Sequence, residues 1–199
     1  MEPLASVIER TNNRVRVMDP VDHRTRMNHW VFDMITYEDA AARYALVPLA
    51  PDNGYVSMTA PVLLDKLSMR QLCERIKIPH KFAVRLEELK QAKLLGININ
   101  TLMQHSGDSS VLFRTIKQGD TELRTARAIL GSQFQPLDDH ELLGAAEKHL
   151  EGAEVAYSAF GETGTHLTAV WPKLNDEGLM RGIHVANSEV GMRAITIEA

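Results

Sequence analysis

VLFRTIKQGDTELRTARAIL, residues 111–130, decides how this chain is read. Val111 to Lys117 and Glu122 to Leu130 have strand-like patterning, and Gln118-Gly119-Asp120-Thr121 between them is turn chemistry. A two-residue turn at Gly119-Asp120 sets Lys117 opposite Glu122 and Ile116 opposite Leu123. One is an opposite-charge pair and the other an apolar pair, so both support the register. The stretch predicts an antiparallel ribbon. It carries Arg114, Lys117, Arg124 and Arg127 against Asp120 and Glu122, a basic ribbon in an acidic protein. Lys117 and Arg124 fall on one side of it, and Arg114 and Arg127 on the other.

Downstream, the pattern stays mostly strand-like. Pro136-Leu137-Asp138-Asp139 opens a helix through about Leu150, and either aspartate caps it and complements its dipole. EVAYSAFGETGTHLTAVWP (154–172) folds back at Thr163-Gly164, which sets Phe160 opposite Leu167 and Ala156 opposite Trp171. Residues 175–178 form a loop before a closing hairpin built from Ile183 to Asn187 and Arg193 to Glu198. A four-residue turn there would oppose the apolar faces of the two strands, because a one-residue slip flips every side chain. A three-residue loop, Glu189-Val190-Gly191, aligns Val185 with Ile195 and Ile183 with Ile197. It also places Gly191 where the loop needs left-handed backbone. The expected tip projects Asn187, Ser188, Glu189 and Arg193. The strand at 192–198 leaves a sheet edge on which a second copy can pair.

Upstream, helices dominate. Trp30 to Ile35 reads as a strand, and the Ala-rich run Tyr37 to Leu46 as a helix. Pro48, Pro51 and Asn53-Gly54 mark a loop, and Tyr55 to Leu64 is extended around Pro61. Ser68-Met69-Arg70-Gln71 has the capping-box pattern, with Met69, Leu72 and Ile76 on one face. Pro79 ends this helix, a second begins near His80, and Gly96 marks its end, a helical region of 68–95. Two helices with a tight turn and Lys81, Arg85 and Lys90 on the second suggest helix-turn-helix geometry. The turn lacks a glycine, and Glu87 and Glu88 would face phosphates poorly. Between Arg10 and Arg26 five arginines stand against Asp19 and Asp22, and residues 1–27 read as a polar, Arg-rich arm. The fold class is thus α+β, with helices and an antiparallel meandering sheet in one domain over 28–199.

The 199 residues carry a net charge of -4, so any nucleic-acid contact needs a local patch. Cys73 is the only cysteine, which excludes an internal disulfide and any multi-cysteine zinc site. It sits among Leu72 and Ile76 and reads as a small buried hydrophobe. No apolar run approaches a membrane span, and the N-terminus lacks a signal-peptide core, so the expected location is the cytoplasm of a host cell. Asp138, Asp139, His140 and Glu141 point in different directions on a helix and read as a cap rather than a metal site. His166 and His184 lie on strands with no HxH partner and read as structural or surface residues. Ser188 and Glu189 have no nearby histidine, and Gly161 to Gly164 lacks the lysine of a phosphate loop. No catalytic residue, metal ligand or cofactor is assigned.

Three stretches carry a resemblance. VANSEVGMRAITIEA (185–199), with NSEVG as its most specific part, resembles the phage/plasmid-like proteins, domain-of-unknown-function family 932. LSMRQLCERIKIPHKFAVRL and RAILGSQFQPLDDHELL resemble that family's helical region and strand-to-helix segment, so the likeness runs from about residue 60 onward. Members of the family continue past this hairpin, which makes a short form, a fragment or a sheet completed by a partner the expectation. The resemblance implies a mobile-element origin and supplies no reaction. With the basic ribbon, it leads to a DNA-associated accessory protein that binds nucleic-acid backbone through Arg114, Lys117, Arg124 and Arg127 without turnover. The alternative is a protein-binding module acting on a host defence or replication factor through the hairpin tip.

Overall fold

The computed structural model describes residues 2–36, 42–49, 60–106, 110–117, 123–161, 163–174, 178–192 and 194–199. Through them run β1 (Glu2–Pro3), α1 (Leu4–Met18), β2 (Val21–Arg26), β3 (Trp30–Thr36), β4 (Ala42–Pro48) and β5 (Val62–Leu64). Next come α2 (Lys66–Arg75), α3 (His80–Glu88), α4 (Ala92–His105), β6 (Ser110–Lys117) and β7 (Arg124–Gly131). The last elements are α5 (Asp139–Glu147), β8 (Glu154–Phe160), β9 (Thr165–Leu174), β10 (Met180–Asn187) and β11 (Thr196–Glu198). The class is α+β, as expected. The strands form two sheets, and the chain divides into two compact units, Met18–Phe134 and the pair of segments Met1–Val17 and Gln135–Ala199.

In the continuous unit the strand order is β2-β6-β7-β5-β4-β3, antiparallel except where β5 runs parallel to β7. Trp30, Phe32, Leu46, Phe113 and Ile129 from the strands bury against Leu72, Leu95, Ile99 and Met103 from the helices. Each such side chain contributes about 1.5–3 kcal/mol on leaving water. That burial carries α4 through Gly96, which was expected to end a helix. Leu95, Ile99 and Met103 recur at helical spacing and outweigh the roughly 1 kcal/mol that a mid-helix glycine costs. Residues 42–46, expected within the helix Tyr37 to Leu46, lie in strand β4, and 37–41 are outside the described residues. Cross-strand pairing of Ala45 and Leu46 with β3 and β5 overrides the local alanine content. The cap of α2 also lies earlier than expected. The Asp65 carboxylate accepts the Ser68 N–H at 2.7 Å, and the Ser68 hydroxyl accepts the Asp65 N–H at 2.9 Å. Ser68 is therefore the returning partner in the capping box, three residues inside the start.

β6 and β7 form the expected ribbon in a longer register. Lys117 pairs with Arg124 and Ile116 with Thr125, two residues beyond the expected partners. The expected Gly119-Asp120 turn and the Lys117–Glu122 pair lie outside the described residues, as do Pro51, Asn53-Gly54 and Arg193. Because β5 is short, β7 is left without a neighbour strand beyond Ala126 on that side. Helix α2 fills the gap: Gln71 Oε1 accepts the Ile129 N–H at 2.8 Å, and Arg75 Nε donates to the Ile129 carbonyl at 3.4 Å.

The discontinuous unit has the order β1-β8-β9-β10-β11, wholly antiparallel. Leu4 and Val7 of α1 and Leu143 of α5, with Leu150, bury against Val155, Leu167, Ala169 and Val185. The stretch expected as an open arm is thus α1 and β2. Leu4, Val7 and Thr11 fall on one helical face and are buried, which holds α1 down. Its charges are tied as well, with Arg10 bonded to Glu2 at 2.8 Å and Arg14 to the Gly161 carbonyl at 3.3 Å. In the middle hairpin Phe160 pairs with Thr165 and Ser158 with Leu167, again a two-residue difference, and a bulge follows at Ala156. The closing hairpin pairs Val185 with Ile197 and Ala186 with Thr196 across a longer connection. Gly191 does take left-handed backbone, at φ +71°.

Candidate functional site

Two of the four ribbon cations are committed inside the fold. Arg114 is 5% exposed, and its Nε lies 2.8 Å from Asp22 Oδ1, the residue directly across from it on β2. Arg124 donates to the Thr115 hydroxyl at 2.9 Å, to Asp19 Oδ2 at 3.1 Å and to the Asp19 carbonyl. Arg127 is the extra residue of a bulge, since Arg114 faces Ala128 and Thr115 faces Ala126. It and Lys117 are half-buried and have interactions of their own. Of the two aspartates counted as arm residues in the sequence, Asp22 is a strand neighbour of the ribbon on β2 and Asp19 sits just before that strand. Pairing with Asp22 buries Arg114, while Arg124 keeps 17% of its side chain exposed and is held by Asp19.

Asn187, Ser188 and Glu189 were expected at a projecting tip, and they are buried, at 3%, 3% and 6% exposure. The Asn187 amide donates to the Leu137 carbonyl at 2.8 Å and to Asp139 Oδ1 at 2.9 Å. The Ser188 hydroxyl donates to the Thr163 carbonyl at 2.7 Å and accepts the Met192 N–H at 3.0 Å. Glu189 Oε1 accepts the Asp139 N–H at 2.9 Å, an anion at the N-terminus of α5, where the helix dipole favours it. The Thr165 hydroxyl bonds the second oxygen of Asp139. Val190 is fully buried beside them. Burial and the nearby Glu189 charge raise the Asp139 carboxyl above its usual range, while Thr165, Asn187 and Arg14 oppose the shift. Two stretches that stood 50 residues apart in the reading of the sequence, NSEVG and Leu137-Asp138-Asp139, therefore close on one another. The bonds lock a helix start to a sheet end. A substrate would reach them only by opening the core.

The basic surface lies on the helices instead. Residues 65–105 hold eight Lys and Arg against four Asp and Glu, a net of +4 in a chain of -4. Lys66, Lys77, Lys81, Lys90 and Lys93 are exposed and make no ion pair among the described residues. Lys77 and Lys90 occupy left-handed backbone, at φ +63° and +57°. Each follows the cap of its helix. The Ile78 N–H returns to the Cys73 carbonyl at 2.9 Å, and the Gln91 N–H to the Leu86 carbonyl at 2.8 Å, the six-to-one bond that ends a helix at such a residue. Beside α4 a cleft of about 570 Å³ is lined by Asp33, Met34, Lys93, Ile97 and Asn100 among others.

The remaining sequence candidates divide. Cys73 is fully buried, and burial, with Glu74 nearby, pushes its thiol up to about 11, which suits the hydrophobe reading. Asp138 begins α5, with the Glu141 carboxylate accepting its N–H at 3.1 Å. His166 and His184, read separately in the sequence, meet across β9 and β10 with Nδ1 and Nε2 3.4 Å apart. No local motif announces that pair, because strand register alone brings it together. Among the described residues no helix is long and apolar enough to cross a membrane. No family model, curated protein or solved structure matches the chain.

Proposed function

We propose that this protein binds nucleic-acid backbone through the helical layer of residues 65–105, as an accessory factor without catalytic turnover. The observation that carries the reading is the placement of Lys77 and Lys90. Both stand in left-handed backbone, where glycine fits at lower cost, and both are exposed without an ion-pair partner among the described residues. A strained position kept by a cation at two successive helix ends suits a surface that meets phosphate. Lys81 and Lys93 extend the patch, while α3 buries only Ala83 and Leu86 and leaves its outer face to solvent. The mobile-element origin implied by the resemblance belongs to this reading as well.

Fluorescence anisotropy with labelled single-stranded and duplex DNA tests it. Affinity falls steeply with salt, and each of Lys77→Glu and Lys90→Glu weakens binding to every sequence and lowers the salt slope by about 1. A second reading, a protein-binding module, draws on the exposed apolar side chains Met34, Phe82, Leu89, Leu94 and Ile97. A stable complex recovered with a host protein, together with no DNA binding at low salt, would favour it.

A further inference from the structure

His166 on β9 and His184 on β10 are diagonal neighbours on one face of their sheet, since His184 pairs with Thr168 and His166 with Ala186. Their rings stand 5.5 Å apart between centroids, and His166 Nδ1 lies 3.4 Å from His184 Nε2. Two nitrogens bound to one tetrahedral zinc at about 2.0–2.1 Å stand about 3.3–3.4 Å from each other. The pair already has that spacing. The geometry points to a two-histidine site for a divalent transition-metal ion of the zinc class.

Three features support the assignment. The Thr168 hydroxyl lies 3.0 Å from His184 Nδ1. When that nitrogen carries the proton and donates it to Thr168, Nε2 presents its lone pair towards His166, the second-shell arrangement that orients a ligating imidazole. Both histidines are half-exposed, so an ion reaches them from water with the core closed. Glu198 stands directly across from His184 on β11 and so shares its face. Among the described residues no three His, Cys, Asp or Glu side chains are already gathered, so two imidazoles supply the anchor and water completes the shell.

Isothermal titration of the full chain with zinc chloride at pH 7.5 tests the assignment. The expected result is one saturable site that weakens at least about tenfold in His166→Gln and in His184→Gln, and severalfold in Thr168→Val. Glutamine keeps a polar side chain of similar reach, and unchanged circular dichroism shows that each variant folds. Absence of saturable binding, or zinc binding that survives in both histidine variants through the six other histidines, overturns the proposal.

Discussion

A lysine in left-handed backbone is a local cost that a glycine would spare the chain, and Lys77 and Lys90 both bear it. Lys77→Gly and Lys90→Gly should each stabilise the protein by about 0.5–1 kcal/mol, the left-handed penalty less the extra entropy glycine brings to the unfolded state. Urea midpoints should rise while DNA affinity falls. A lower midpoint would mean that these lysines make a structural contact. Asp139 gives a second test. Its carboxyl is raised, so the folded state holds that proton more tightly than the unfolded chain does. Its contribution is full below the ordinary aspartate range and is lost as pH rises through the raised value. Asp139→Asn, in which the Thr165 hydroxyl turns to accept, should remove that decline from a pH series of urea melts; an identical slope in both proteins would contradict it. Neither feature was legible in the sequence. A left-handed lysine has no composition signal, and the burial of Asn187, Ser188 and Glu189 depends on a helix start 50 residues away.

At the scale of elements, the sequence showed the three hairpins after residue 110 and the two helices that Pro79 separates, because alternation and breakers are local. It did not show the pairings of β1 to β5, nor register. All three hairpins pair two residues away from the expected partners. A two-residue slip preserves the side that each residue faces, so matching apolar faces does not detect it. Tertiary pairing also turned residues 42–46 from expected helix to strand. β3 ends its sheet, and its exposed edge is managed by one side chain. Asn100 Oδ1 accepts the Phe32 N–H at 2.7 Å, and Asn100 Nδ2 donates to the Phe32 carbonyl at 2.8 Å, as a neighbouring strand would. Asn100→Ala should cost about 1–3 kcal/mol and speed hydrogen exchange at the Phe32 amide. Unchanged exchange there would show that the edge is protected by other means.

At the scale of the molecule, the division into two units was hidden because one of them is built from both ends of the chain. An N-terminal stretch rich in arginine reads as an arm until Leu4 and Val7 find the core laid down by residues 135–199. Each unit holds one tryptophan, Trp30 or Trp171, and a separate core. With Trp30→Phe, the remaining fluorescence reports the discontinuous unit. In that background Leu143→Ala should lower the unfolding midpoint by an amount worth about 2–5 kcal/mol. With Trp171→Phe instead, the same substitution should leave the Trp30 midpoint in place; a joint shift would mean that the units unfold as one. The basic helical layer belongs to the continuous unit, and the most direct test of the account is its affinity for DNA. In an anisotropy titration of a labelled single strand at low salt, the intact chain should bind and lose affinity with added salt. The Lys77→Glu/Lys90→Glu protein should bind more weakly with a shallower slope, and Lys117→Glu should bind as the parent does. No binding by the parent, or equal binding by the double variant, would contradict the central claim.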